Sequence, residues 1–294
     1  RAPGSAIGYH DGVTSSREPV QHPFLGILLK LGSVLLLFAM VACVKVLGER
    51  IPPGQIVFFR AAIALLVVAM LAWRSDIGFA RLKTDNWRAH AFRSLAGTFS
   101  MFCWFSAIAM IPLAEMTAIS FTVPLFLTVL AMIFLGERIH WYRWTALGMG
   151  FAGVLIIVAP QLSDAHGGAL GAAVALLSAV TAAFALMFLR RMSGREDALA
   201  ITFWFFLTAT VCSAATALFG DWRLPDDGQR LLLLATGVLG ALGQVVMTYS
   251  YRYAEASLVA PLDYVNMLVA VAIGYYLFGE VPHVATWIGA PLII

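Results

Sequence analysis

Apolar residues in this chain come in runs the length of a membrane-spanning helix, separated by short polar punctuation. Crossing the hydrocarbon core takes about 20 apolar residues in a helix. Ten segments meet or approach that length: 24–46, 54–73, 88–111, 114–135, 141–159, 168–190, 198–219, 229–253, 257–278 and 283–294. The tenth is short and stops at Ile294 with no polar terminus, which reads as a truncated helix. Turn residues fill the connections, as in Pro52-Pro53-Gly54 and Pro225-Asp226-Asp227-Gly228. Barrel strands are excluded, because they alternate apolar and polar positions over about 10 residues. The pattern predicts an all-α integral membrane protein with the lipid bilayer as its solvent.

The runs also repeat. Phe134-Leu135-Gly136-Glu137 closes one, and Leu277-Phe278-Gly279-Glu280 closes another 143 positions later. Gly26, Leu31, Ser33 and Ile56 find identical residues 145 positions on, at Gly171, Leu176, Ser178 and Ile201. This gives a first five-helix repeat over 23–160 and a second over 161–294. A polar tail, residues 1–22, precedes them and is read as mobile. Five is an odd number of spans, so the second half enters from the opposite face and the repeats are inverted. Inverted repeats place a binding site near the midplane and permit alternating access, which points to an internally duplicated transporter.

Composition agrees with a membrane setting: 61% of residues are hydrophobic and 12% charged, against about 25% charged in soluble domains. The net charge of +3 is small, and no dense basic stretch suggests a nucleic-acid partner. Cys43, Cys103 and Cys212 fall inside apolar runs without metal-ligand spacing. They are read as packing residues, and neither metal nor cofactor is expected. Lys and Arg set the orientation. With the amino terminus inside, twelve of the 19 fall on the cytoplasmic side and four on the other. That bias predicts both termini in the cytoplasm.

The second half reads Tyr253-Ala254-Glu255-Ala256-Ser257-Leu258-Val259-Ala260-Pro261. The first reads Pro112-Leu113-Ala114-Glu115-Met116-Thr117, then Pro124, then Leu135-Gly136-Glu137-Arg138. Together with the ten spans and the duplication, these segments resemble the drug/metabolite transporter superfamily, in its EamA-type ten-helix branch. The resemblance covers the chain after residue 22. It implies a solute carrier, often an exporter of amino acids or other metabolites, with bacterial aromatic amino acid exporters among the similar subfamilies. Two departures stand out: Glu280 is followed by Val281 rather than Arg, and Pro261 lies 18 residues before its Gly whereas Pro124 lies 12 before.

Charge within a span costs roughly 2.5–3.5 kcal/mol on insertion scales, so its positions are informative. Lys30, Arg93 and Asp263 lie at similar depth in the first, third and ninth spans, where they could meet in one inward-facing cavity. Snorkelling to headgroups is the alternative for the two cations. Asp263 is the only carboxylate read as well inside a span, and proton coupling would fall to it. Arg60 reads as structural or interfacial, near the outer end of the second span. Arg93, Gly97, Ser100 and Trp104 form one stripe at helical spacing; Asp263 and Asn266 form another, with Tyr264 beside it. Gln244 and Tyr249 add polar groups that need partners inside the bundle. Trp104 and Trp204 sit deeper than the other tryptophans and are candidates for stacking on a flat solute. Thr122 and Pro124 mark the middle of the fourth span, where a kink suits a gate.

These expectations combine into a secondary transporter for a small metabolite, an amino acid by preference and with export favoured. It would sit as a monomer or weak oligomer in a bacterial cytoplasmic membrane. A facilitative carrier or channel for a vitamin, nucleotide derivative or drug is the alternative. No Walker A loop is present, and no histidine lies at midplane depth, which argues against an ATPase or an intramembrane enzyme.

Overall fold

The computed structural model describes residues 22–76, 78–84, 86–135, 141–162, 168–192, 196–219, 222–254 and 260–293. The tail 1–21, the Gly136-Glu137-Arg138 motif and residues 255–259 lie outside the described residues. Those described form helices: α1 (Pro23–Gly48), α2 (Pro53–Trp73), α3 (Trp87–Met110), α4 (Leu113–Ser120), α5 (Val123–Leu135), α6 (Trp141–Leu162), α7 (Gly168–Met192), α8 (Ala198–Ala215), α9 (Asp227–Tyr253), α10 (Val265–Phe278) and α11 (Val284–Ile293). Three 3-10 turns link them, at Gly78–Leu82, Thr216–Phe219 and Ala260–Tyr264. Seven stretches are long and apolar enough to span a membrane, and α10 and α11 are shorter apolar helices.

Local chemistry sets the helix ends. Pro23 and Pro53 occupy first-turn positions, where a missing N–H costs nothing. Asn86 caps α3 through the Ala89 amide, and Asp197 caps α8 through Leu199. Asp226 and Gln229 close a capping box on α9. Gly279 ends α10 at φ 65°, a left-handed conformation that other residues adopt at a cost.

Two expected single helices are divided. The fourth span breaks into α4 and α5 at Phe121–Thr122, so Pro124 is not a mid-helix kink. It stands in the first turn of α5, and the Thr122 hydroxyl donates to the Ile119 carbonyl at 2.6 Å. In the described part of the ninth span a 3-10 turn, Ala260–Tyr264, leads into α10, and Asp263 therefore precedes the α-helix.

Helix packing follows a two-fold that exchanges the halves. Under it α1, α2, α3, α4–α5 and α6 map onto α7, α8, α9, α10 and α11. The α1–α9 contact then becomes α7–α3, and α2–α9 becomes α8–α3; both members of each pair are present. α2 packs on its own counterpart α8, α4 on α10 and α6 on α11. The equivalence reaches single residues. A Cβ on Gly26 would strike Ala254, and one on Gly171 would strike Ile111 at 2.6 Å. Gly171 is Gly26 plus 145, and Ala254 is Ile111 plus 143. One close approach is made twice, once at each face. Lipid is as apolar as the helices, so small residues that let backbones approach supply much of the association. Large side chains such as Leu35, Leu66, Leu155 and Trp287 are left exposed to the surroundings.

Candidate functional site

A cavity of about 710 Å³ lies between the two halves. Its walls come from α1, α2, α3, the α4–α5 break, α8, α9 and the start of α10. Two aromatic side chains shape it. Trp104 donates its indole N–H to the Ser120 hydroxyl at 3.3 Å and lies against Phe105, with ring centroids 5.4 Å apart. Phe121, at the break, meets Tyr264 edge-on at 6.1 Å. A broken helix is tolerated in a membrane only where it is buried or lines a cavity, and this break lines the cavity wall.

The sequence-predicted residues separate into groups. Ser100, Trp104, Gln244, Asp263, Tyr264, Asn266 and Pro124 line the cavity. Ser100 contributes little free chemistry. Its hydroxyl donates to the Ser178 carbonyl at 2.9 Å, and the Ser178 hydroxyl returns a bond to the Ser100 carbonyl at 3.0 Å. Thr122 is fully buried behind the wall. Tyr249 borders a second crevice of about 480 Å³ between α2, α8 and α9, which Gln244 also touches.

Of the three charges expected to meet, two do. Lys30 is buried and pairs with Asp263 at 2.6 Å, so it does not snorkel and the pair is neutral. Arg93 points elsewhere, with its guanidinium 4.2 Å from the centre of the Phe205 ring. Its Nε and Nη1 have no hydrogen-bond partner among the described residues. Phe205 does reach the cavity, so Arg93 stands behind the wall rather than in it. Trp204 is also displaced from the site. Its indole N–H donates to the Leu82 carbonyl at 3.1 Å, and its ring packs on His90 near the start of α3.

Two residues given lesser roles matter more. Arg60 is the first of them. Seven residues into α2, roughly 10 Å along the axis, it lines the cavity. Glu115 joins Asp263 as a carboxylate inside a span. It is 2% exposed and accepts hydrogen bonds from Gln161 Nε2 and the His283 backbone. Beside it, Lys45 pairs with Glu280 at 2.5 Å and donates to the carbonyls of Ile108 and Ile111 at 3.2 and 3.0 Å. Glu280 also accepts from the Leu113 amide at 2.9 Å. These contacts tie α1, α3, α4 and the end of α10 at one face. The positive φ at Gly279 turns the chain just before Glu280, and that gives Gly279-Glu280 a physical role.

Comparison with known proteins agrees with this architecture. The family model for EamA-like transporters matches twice, over residues 24–159 and 169–294. The chain is 32% identical over 270 residues to the pseudopaline exporter CntI of Pseudomonas aeruginosa, covering 92% of this chain and 93% of that one. It is 30% identical over 244 residues to a riboflavin transporter of Rhizobium johnstonii, covering 83% and 79%. It is 29% identical over 250 residues to an S-adenosylmethionine uptake transporter of Rickettsia bellii, covering 85% and 84%. A solved crystal structure shares the fold, with a TM-score of 0.63 at 21% identity over 91% of this chain and 94% of that one. The doubled match, the inverted packing and the central cavity make this chain a member of the EamA-like transporter family, a drug/metabolite-type transporter of small molecules.

Proposed function

We propose that this protein is a secondary carrier that moves a small metabolite, an amino acid by preference, by alternating access. The observation that carries the reading is the cavity at the junction of the halves, with walls drawn from both. A site on the axis between inverted repeats can be exposed to either side by rocking one half on the other. About 710 Å³ lies within the usual range of roughly 300–1,000 Å³ for small-molecule sites. Trp104, Phe105 and Phe121 provide an apolar surface for the solute body, and Gln244 and Asn266 provide directional hydrogen bonds. The positive-inside bias supports both termini inside a bacterial cytoplasmic membrane, and the exporter among the relatives supports export. Relatives named for riboflavin and S-adenosylmethionine favour a second reading of the substrate, a larger vitamin or nucleoside-type solute.

Counterflow tests the carrier. Purified protein in liposomes preloaded with an unlabelled solute should accelerate uptake of the same labelled solute. Aromatic and branched amino acids form one panel, riboflavin and S-adenosylmethionine the other. Uptake that preloading leaves unchanged would mark a channel instead.

A further inference from the structure

The cavity holds a cation that the ion pairs among the described residues do not account for. Lys30 is matched by Asp263 and Lys45 by Glu280. No carboxylate of the described residues pairs with Arg60. Its partners are two thioethers and a ring. Nη1 lies 2.7 Å from the Met101 sulfur, Nε lies 3.5 Å from the Met40 sulfur, and the guanidinium sits 5.6 Å from the Phe105 centroid. Thioether sulfur is a weak acceptor, and a guanidinium carries five donors in a fork suited to a carboxylate. Methionine is also unbranched and adaptable, so either sulfur can yield to a better acceptor.

The surroundings hold this arrangement in place. Met40 comes from α1, Met101 and Phe105 from α3, and Gly240 from α9. A Cβ on Gly240 would meet the Met40 sulfur at 2.8 Å and Arg60 Nε at 3.6 Å. The missing side chain leaves room for the Met40 sulfur that Arg60 Nε touches. Four elements thus fix an arginine at cavity depth and give it no countercharge.

We infer that Arg60 is the anion anchor of the transport site, and that the substrate presents a carboxylate to it with its apolar body toward Trp104 and Phe121. This rests on the central cavity being the transport site, as proposed above. A carboxylate, with one charge, balances the single guanidinium. A phosphate monoester carries about −1.5 to −2 at neutral pH and would leave charge over in a low-dielectric site. The assignment moves the positive end of the site from Lys30 and Arg93 to Arg60.

The test is ligand-induced thermal stabilisation of the purified protein, with four probes sharing one ring system: L-phenylalanine, 3-phenylpropionate, L-phenylalanine amide and phenyl phosphate. Wild type should be stabilised by the two carboxylates and far less by the amide or the phosphate. Arg60→Met should lose the carboxylate response, equivalent to about 100-fold or more in Kd, and Arg60→Lys should retain part of it. Equal stabilisation of wild type and Arg60→Met by the carboxylates would overturn the anchor. So would a wild type that answers to the amide or the phosphate as well as to the carboxylates, or to none of the four. Counterflow separates this failure from that of the carrier: exchange of any solute by Arg60→Met at the wild-type rate keeps the carrier and removes the anchor.

Discussion

At the scale of single residues, hydroxyls and charges here serve packing more often than a sequence stripe suggests. Ser100 was placed on a cavity-lining stripe, and it does border the cavity, but its hydroxyl bonds to α7. Interhelical bonds of this kind in membranes are worth about 0.6 kcal/mol on average. Ser100→Ala and Ser178→Ala should therefore each lower the melting temperature slightly, and the double variant should lose less than the sum. Additive losses in a double-mutant cycle would show that the two bonds are independent. Trp104 differs, because its ring borders the cavity and its indole N–H makes a long bond, 3.3 Å, to Ser120. Trp104→Ala should weaken solute binding by about 10-fold or more, since a buried aromatic truncated to Ala costs roughly 3–5 kcal/mol where it is fully packed. Normal membrane insertion with wild-type binding in a thermal-shift titration would take Trp104 out of the site.

The helices and much of the cavity lining on α3 and the start of α10 were legible in the sequence, and the place of Arg60 and Glu115 was not; the reason is the solvent. In water, a helix betrays its inner face by amphipathic period, but lipid and protein interior are both apolar, so α2 reads alike all round. Nothing in Pro53–Trp73 alone tells that Arg60 faces α1, α3 and α9 rather than lipid. The same blindness hid Glu115, which sits three residues after Pro112 at the start of the fourth span and reads as a helix-end residue until Gln161 and His283 are brought over it. What the sequence does encode is the break. Thr122 and Pro124 were legible, and they divide the fourth span into α4 and α5. Pro124 cannot donate to the Ser120 carbonyl one turn earlier. Pro124→Ala restores that donor and should let α4 and α5 join. The expected result is an unchanged or raised melting temperature with slower counterflow, since Ser120 and Phe121 of the wall would be pulled into a regular helix. Full transport rates from a protein of unchanged stability would show that the break is only static structure. The paired glycines allow a second test of element packing. Gly26→Val and Gly171→Val each force a side chain into a facing helix, and each should destabilise by about 1–3 kcal/mol.

For the whole molecule, the question is which face the cavity opens to and what holds the other shut. The contacts of Lys45, Glu280 and Glu115 gather α1, α3, α4, α6 and the α10–α11 connection at one face. α4 is both part of that tie and, through Thr117 and Ser120, part of the cavity wall. Opening that face must separate Lys45 from Glu280. The pair is 13% and 17% exposed, where truncating one partner of a hydrogen-bonded charge pair costs about 2–5 kcal/mol. Glu280→Gln should therefore shift the population toward a state open on the side of Asp226. A single thiol at Thr117, in a background lacking Cys43, Cys103 and Cys212, reports that state. An impermeant maleimide added from the Asp226 side of oriented vesicles should label it about thirtyfold faster in Glu280→Gln than with Glu280 intact, by the lower end of that energy range. The same reagent should label a thiol at Asp226 and spare one at Lys83, which fixes the sidedness of the assay independently. An unchanged rate at Thr117, with Asp226 and Lys83 behaving as expected, would mean that the Lys45–Glu280 pair is not what keeps this face closed. A faster rate abolished by saturating carboxylate ligand would place that ligand and the opening motion on one equilibrium, as alternating access requires.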